Sequence, residues 1–483
     1  GINLNLLNGI LPKLSKMKFE LNICKQPTYS SAIVLNDADF VGSTFHLDVQ
    51  EVDLEVISQY LGTSQGLIYA KPKSHDNVNK TAESYRKAGA IVWSKIKELK
   101  IKEIAFKHNE ETDFSLVIAF IEGLLLASYS FDKYLTKKAP IVQLDIEFSL
   151  SETPEFQEML TVVEANKLTK DLVNEPVITL NTQQFSAEMV NLGAIAGFKV
   201  TVLEKKQIES LEMGGLLAVN KGSIDPPAFN ILEYTPENAV NDKPFILVGK
   251  GVVYDTGGYN IKTDNHMNDM KLDMGGAAAV LGSIYAIAKN KLPIKVIGLI
   301  PSTDNRIGGN ALVADDVITM HNGKTVEVKN TDAEGRLILA DALSYAQQYN
   351  PELVFDMATL TGASVMLTGD MASCIMGNAK KETFDKLADA GFATHERVAE
   401  VPFWEDYQEM LKSNIADLSN LGGRVGGAVT AGKFLENFVD YPWVHIDLAG
   451  PAFVDSDKDY RQKGGTAYGV RLVYDFAKKN WLK

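Results

Sequence analysis

At 483 residues the chain exceeds the roughly 250–300 beyond which one hydrophobic core stops growing, so two domains are expected. Its 45% hydrophobic and 23% charged residues are those of a globular protein, and its net charge of −14 argues against nucleic acid and against an anionic membrane surface, both of which are met by Lys/Arg excess. Cys24 and Cys374 are the only cysteines, which rules out a disulfide framework or a thiolate zinc site and fits a reducing cytoplasm.

The first residues carry Leu and Ile broken by Asn5 and Asn8, without the apolar core of a signal peptide. From there to about residue 150, β-rich runs at 66–70, 104–107 and 141–148 alternate with helical stretches at 78–99 and 113–129, an α/β pattern. The most apolar stretch, 114–127, contains Glu122 and Gly123 and is shorter than the ~20 residues of a membrane span, so it reads as a buried helix. Residues 154–174 place Leu160, Val163, Leu168 and Leu172 at helical spacing and stop before Pro176. They are read as a helix joining two domains. The second half holds buried-strand runs at 229–234, 245–248, 294–300, 353–357 and 444–448, separated by Gly-rich turns and helical stretches. The expected fold is therefore α/β in two parts: a smaller N-terminal α/β domain (1–152), a linker helix (153–175) and a larger C-terminal catalytic α/β domain (176–483) with a mixed central sheet. Ligands would sit at the strand ends of that sheet.

The residues that attract chemical interest are Asp255, Asp273, Asp332 and Glu334, with Lys250 and Lys262. Each acid also has a structural explanation: Asp255 before Thr-Gly-Gly suits an Asx-turn, Asp273 suits a helix N-cap, and Thr331-Asp332-Ala333-Glu334 has capping-box spacing. Two neighbours resist that explanation. Gly335 in a first helical turn costs about 1 kcal/mol relative to Ala, and Arg336 puts a cation at the positive end of the helix dipole. Lys250 ends the apolar run at 245–248, where a long cation has the option of reaching out to water. Four carboxylates would roughly neutralise two divalent cations, which at ~3.5–4 Å separation activate water and clamp both oxygens of a displacement. Oxygen ligands with one amine suit Mn²⁺, Zn²⁺, Co²⁺ or Mg²⁺.

The octapeptide Asn330-Thr331-Asp332-Ala333-Glu334-Gly335-Arg336-Leu337 resembles the signature of the cytosolic leucyl aminopeptidases. The resemblance extends from Ala165-Asn166-Lys167-Leu168 and Leu172-Val173-Asn174-Glu175-Pro176 to Asp447-Leu448-Ala449-Gly450, about two-thirds of the chain, and leaves the N-terminal part with little that matches. It implies a tight metal site at Lys250, Asp255, Asp273 and Glu334, and an exchangeable one at Asp255, Asp332 and Glu334, each chain carrying two divalent ions (Mn²⁺ or Zn²⁺). It makes Lys262 the electrophile that holds the oxyanion and Arg336 the anchor of a bicarbonate serving as general base. Thr359, Leu360 and Gly362 match the loop lining the substrate, and Met270 the pocket for the first residue. The implied activity is release of Leu and other apolar N-terminal residues from short peptides by a cytoplasmic homohexamer. Tyr254, Thr263 and Ala314-Asp315-Asp316 depart from the usual pattern, and none removes a ligand. A two-metal phosphoesterase would use the same acids, normally with His ligands or a basic phosphate cradle. A non-catalytic scaffold or nucleotide-binding module would rest on the N-terminal domain instead.

Overall fold

The computed structural model describes residues 18–46, 56–62 and 65–482; the N-terminal stretch in which no signal peptide is expected lies outside them. The chain divides into two compact units, Gly1–Asp171 with Asp455–Lys463, and Leu172–Val454 with Gly464–Lys483.

The first unit is built on strands β1 (Phe19–Cys24), β2 (Ala32–Leu35), β3 (Val56–Gly62), β4 (Gln65–Ala70), β5 (Glu103–His108) and β6 (Val142–Glu147). They form one sheet in the order β1-β6-β5-β2-β4-β3, parallel except where β3 pairs antiparallel with β4. Helices α1 (Ala38–Phe45), α2 (Val78–Glu98) and α3 (Phe114–Ala127) connect the strands. Asn77 and Asp113 cap α2 and α3 by accepting backbone N–H groups of the first turn, as short polar side chains at that position do. The apolar 114–127 stretch is α3, with Phe120, Ile121 and Leu124 fully buried.

The two residues that interrupt α3 both answer to α2. Arg86 of α2 donates through Nε to Glu122 at 2.8 Å. Gly123 lets the backbones approach so closely that a Cβ there would collide with the Arg86 main chain, and Gly89 of α2 faces the Phe120 carbonyl in the same way. Small residues at a helix crossing thus set its depth. A further helix, α4 (Pro154–Asn174), covers the stretch read as joining the domains, and the division between the units falls inside it.

The second unit carries β7 (Lys199–Leu203), β8 (Ala228–Tyr234), β9 (Phe245–Gly249), β10 (Gly251–Asp255), β11 (Val296–Asn305), β12 (Val317–Thr319), β13 (Thr325–Glu327), β14 (Leu353–Ala358), β15 (Ser373–Gly377), β16 (Val398–Glu400), β17 (Leu418–Ser419) and β18 (Trp443–Asp447). The main sheet runs β16-β15-β18-β14-β9-β11-β8-β7 with β10 joined to β11, and β12-β13-β17 form a small separate sheet. The central β18, β14, β9 and β11 are mutually parallel, while β15 and β8 flank them antiparallel. Every residue of those four parallel strands is buried, which is why they read as continuous rather than alternating runs.

The feature that makes a site is a break after β9. Strand β9 pairs with both β11 and β14, but β10 continues only along the ten-residue β11, in unbroken register from Val248↔Leu299 to Gly251↔Ser302. The pairing with β14 ends at Gly249↔Met357. Adjacent parallel strands therefore part at Lys250, and the carboxyl ends of β9, β10, β11, β14 and β18 surround the crevice, where α/β sheets place ligands. Helices α5 (Gly275–Lys289), α6 (Gly335–Ala346), α7 (Gly362–Thr368) and α8 (Gly427–Glu436) begin around it. Among the described residues, no helix is long and apolar enough to cross a membrane.

Gly123→Ala is expected to lower the stability of the first unit by about 1–3 kcal/mol, as overpacking does. Denaturant unfolding followed by tryptophan fluorescence, with Trp93 buried in that unit's core, reads the change, and an unshifted midpoint would show that the crossing gives way freely.

Candidate active site

All six charged residues singled out in the sequence converge on the crevice. Lys250 is only 3% exposed, so it does not reach out to water. Its Nζ lies 2.7 Å from Asp273 Oδ1 and 2.9 Å from Glu334 Oε1, and donates to the Thr359 carbonyl at 3.0 Å. Lys262 stands beside it, 3.0 Å from Asp255 Oδ2 and 2.8 Å from Asp332 Oδ1. Oxygens of Asp255, Asp273 and Glu334 all lie within 4.8 Å of one another.

The capping explanations fare unevenly. Asp255 does form the Asx-turn, accepting the Gly257 N–H through Oδ1 at 2.9 Å, but Oδ2 remains for Lys262. Asp273 caps nothing: it sits in a 3₁₀ turn, Met270–Met274, and the N-cap of α5 is Met274. Nor does the capping box form, because Glu334 itself is the N-cap of α6 and makes no side-chain cap bond. Thr331 instead donates to the Gly257 carbonyl at 2.6 Å. Gly335 has a direct reason. A Cβ there would overlap the Lys250 side chain, standing 2.7 Å from its Nζ and 2.8 Å from its Cδ.

Neutral groups hold the loops. Asn305, at the end of β11, donates to Asp255 Oδ1 at 2.8 Å and to the Thr331 carbonyl at 3.1 Å. Asn420, fully buried, accepts the Lys329 N–H at 2.8 Å and donates to the carbonyls of Asn330 (2.8 Å) and Ala333 (3.3 Å). Its own carbonyl accepts Arg336 Nη1 at 2.9 Å. The sequence reading passed over both asparagines; Asn420, beside Leu-Gly-Gly, looks like an ordinary turn residue, and Asn305 follows the apolar run at 294–300.

Of the residues matched to the substrate site, Thr359 donates to Asp273 Oδ1 at 2.8 Å. The Leu360 N–H donates to Asp447 Oδ1 at 3.2 Å and Thr361 donates to Oδ2 at 2.7 Å, which fixes their loop to the end of β18. Gly362 opens α7 into free space, and half-buried Met270 opens the turn that carries Asp273.

Burial dominates the electrostatics. It would depress both lysines, but Asp273, Glu334 and Asp255 around Lys250, and Asp255 and Asp332 around Lys262, outweigh it and hold both ammoniums above their ordinary range. Burial raises Asp273 well above a normal carboxyl, with Glu334 and Asp255 adding to it against Lys250. Asp332 is pushed up to about 7 by burial, then by Asp255 and Glu334. Burial brings Arg336 down to about 10. Such shifts cluster where like charges are forced together.

The donor set fits divalent cations. Asp273 Oδ2 is buried with no partner, and Glu334 Oε1 and Asp332 Oδ1, though close to lysine ammoniums, accept no hydrogen bond. Hard oxygens left unsatisfied in a buried site are costly without a cation to meet them.

Residues 167–474 match the catalytic domain of the cytosol aminopeptidase family, peptidase family M17, and residues 76–138 match its N-terminal domain. The chain belongs to the cytosol aminopeptidase family. Membership bears out the resemblance carried by the octapeptide and the two-domain α/β architecture, and extends the likeness into the N-terminal part. Relatives include the probable cytosol aminopeptidases of Chlorobium limicola, 43% identical over 83% of this chain and 84% of that one, and of Chlorobium phaeobacteroides, 39% identical over 97% and 99%. Among solved structures, the bottromycin maturation enzyme BotP in complex with Mn superimposes with a TM-score of 0.82 at 29% identity, covering 93% of this chain and 99% of that one. Cytosol aminopeptidases are metal-dependent hydrolases acting on peptides, and this chain is an aminopeptidase of that family.

Gly335→Ala is expected to push Lys250 off Asp273 and Glu334, weakening divalent-ion binding at least tenfold while the fold survives. Isothermal titration with Mn²⁺, beside a circular dichroism spectrum, measures both; wild-type affinity in the variant would show that Lys250 need not pass over that glycine.

Proposed function

We propose that the protein removes Leu and other apolar N-terminal residues from short peptides with the help of two divalent ions. The observation that carries this is the gathering of four acids, two lysines and an arginine in one crevice with buried oxygens left open. Lys250, Asp255, Asp273 and Glu334 would hold the tighter ion, and Asp255, Asp332 and Glu334 the exchangeable one. Mn²⁺ or Zn²⁺ suits these donors, and the related BotP is described with Mn. When bound, the ions supply Lewis acidity and a nucleophilic water at neutral pH.

The chain's own groups divide the remaining work. Lys250 would have to give up its proton to act as a ligand. Lys262 pairs with Asp255 and Asp332. With those carboxylates on cations, its ammonium would be free to polarise the scissile carbonyl and hold the oxyanion, the kind of contribution worth about 2.7–4 kcal/mol per donor. Arg336 keeps Nε buried and unpartnered, a donor free for a planar anion such as bicarbonate, which would accept the proton of the attacking water. Met270, Thr359, Leu360 and Gly362 would line the substrate. Flexible Met270 with small Ala449 and Ala452 favours medium to large apolar first residues. The reading includes a cytoplasmic homohexamer, of which the cytoplasmic part accords with the family's name.

Exhaustive chelation, verified by elemental analysis, should abolish hydrolysis of leucyl peptides. Asp332→Ala should chiefly lose the exchangeable ion and Asp273→Ala the tight one; equal loss of both ions in both variants would contradict the assignment.

Lys262→Ala should lower kcat and kcat/KM together, by about 10²–10³-fold, with metal content intact. Returning bicarbonate to carbonate-depleted enzyme should raise the wild-type rate, and Arg336→Ala should lose most of that response. A mutant as responsive as the wild type would remove Arg336 from the role.

A further inference from the structure

The cations around the crevice are nearly all committed. Lys250 and Lys262 face the acids, Arg336 is buried against the Asn420 carbonyl, and Lys271 donates to the Asn174 carbonyl. Arg306 pairs with Asp304, Lys329 with Glu327 and Asp315, and Lys433 with Glu405 and Glu436. Arg424 is the exception: it is exposed and, among the described residues, makes no hydrogen bond or ion pair.

Its position is constrained at both ends. The loop Leu421-Gly422-Gly423-Arg424-Val425-Gly426 leaves Asn420, which holds Arg336 and the Asn330–Ala333 turn, and enters α8 at Gly427. A Cβ on Gly427 would stand 3.2 Å from Ala363 Cβ, directly after the Thr359 to Gly362 loop. Gly423 and Gly426 adopt φ of +94° and +62°, turns that favour glycine and that lift the residues between them into solvent, Val425 being 72% exposed. Arg424 is three residues from Gly427, so its Cα stays within about 11 Å of it. In an extended tripeptide bound by its amine, the terminal carboxylate lies about 7 Å beyond the first carbonyl, outside the acids and on the scale of an arginine side chain.

We propose that Arg424 is a specificity-determining residue that receives the free C-terminal carboxylate of di- and tripeptides. This rests on the aminopeptidase reading and deepens it by naming how short peptides are preferred. A peptide carboxylate approaching a crevice lined by Asp255, Asp273, Asp332 and Glu334 meets like charge, and a planar guanidinium at the rim offers two parallel hydrogen bonds to it. A longer peptide carries that carboxylate past the loop, and an amide removes the charge.

The test compares Leu-Gly-Gly with its C-terminal amide on the full chain loaded with Mn²⁺, in wild type, Arg424→Gln and Arg424→Lys. The amide is the internal reference for the hydrolytic machinery. Arg424→Gln should lower the acid-to-amide ratio of kcat/KM about two- to fivefold, the range for an exposed charged pair, mainly through KM for the acid, and Arg424→Lys should restore part of it. An identical ratio in wild type and Arg424→Gln overturns the proposal. Wild-type enzyme that cleaves neither peptide would instead overturn the aminopeptidase reading, and the role of Arg424 with it.

Discussion

Four carboxylates sharing one buried crevice is the constraint from which the rest of the catalytic unit follows. Only two ammoniums, Lys250 and Lys262, pair with Asp255, Asp273, Asp332 and Glu334, so the acids outnumber the cations among them and several of their oxygens accept no hydrogen bond. Burial then raises Asp273 and Asp332 rather than letting all four ionise freely. A cluster of this kind is retained at the expense of stability. Its two lysines are the counter-charges that the acids have within the crevice, and on the proposed reading the same groups would take up other duties beside bound cations.

The scaffold supplies that cluster from the ends of parallel strands and fixes it with neutral groups. Lys250 and Asp255 bracket β10, Asn305 ends β11, Thr359 follows β14 and Asp447 ends β18. Amides and hydroxyls join these ends: Asn305 to Asp255, Asn420 to the turn before Glu334, and Thr361 to Asp447. Such contacts orient charged groups without adding charge.

Legibility in the sequence followed the range of the forces involved. The buried parallel strands and the apolar α3 were visible because consecutive residues share one environment, and the octapeptide because its acids, glycine and arginine are contiguous. Strand β10 went unread, being short and set apart from β9 only by the divergence of β14. The N-cap expected at Asp273 and the box expected at Thr331 failed because a lysine from another strand competes for the first and the Gly257 carbonyl for the second. Asn420 acts across 84 residues on Arg336, and no local pattern marks it. The Asp356 carboxylate that meets both Trp443 and His445 on the neighbouring strand was likewise hidden within apolar runs.

The close passage of Lys250 beneath Gly335 also bears on how this sequence can change over time. Any side chain at 335 pushes the Lys250 amine off the acids, and a shorter residue at 250 removes that amine before anything is gained in return. Single substitutions at either position therefore lead downhill, and the two are locked as a pair although 85 positions separate them. Among descendants that have abandoned the chemistry, the glycine should be released to drift only after the lysine has been lost, so the order of those two replacements would date the loss of activity in a lineage.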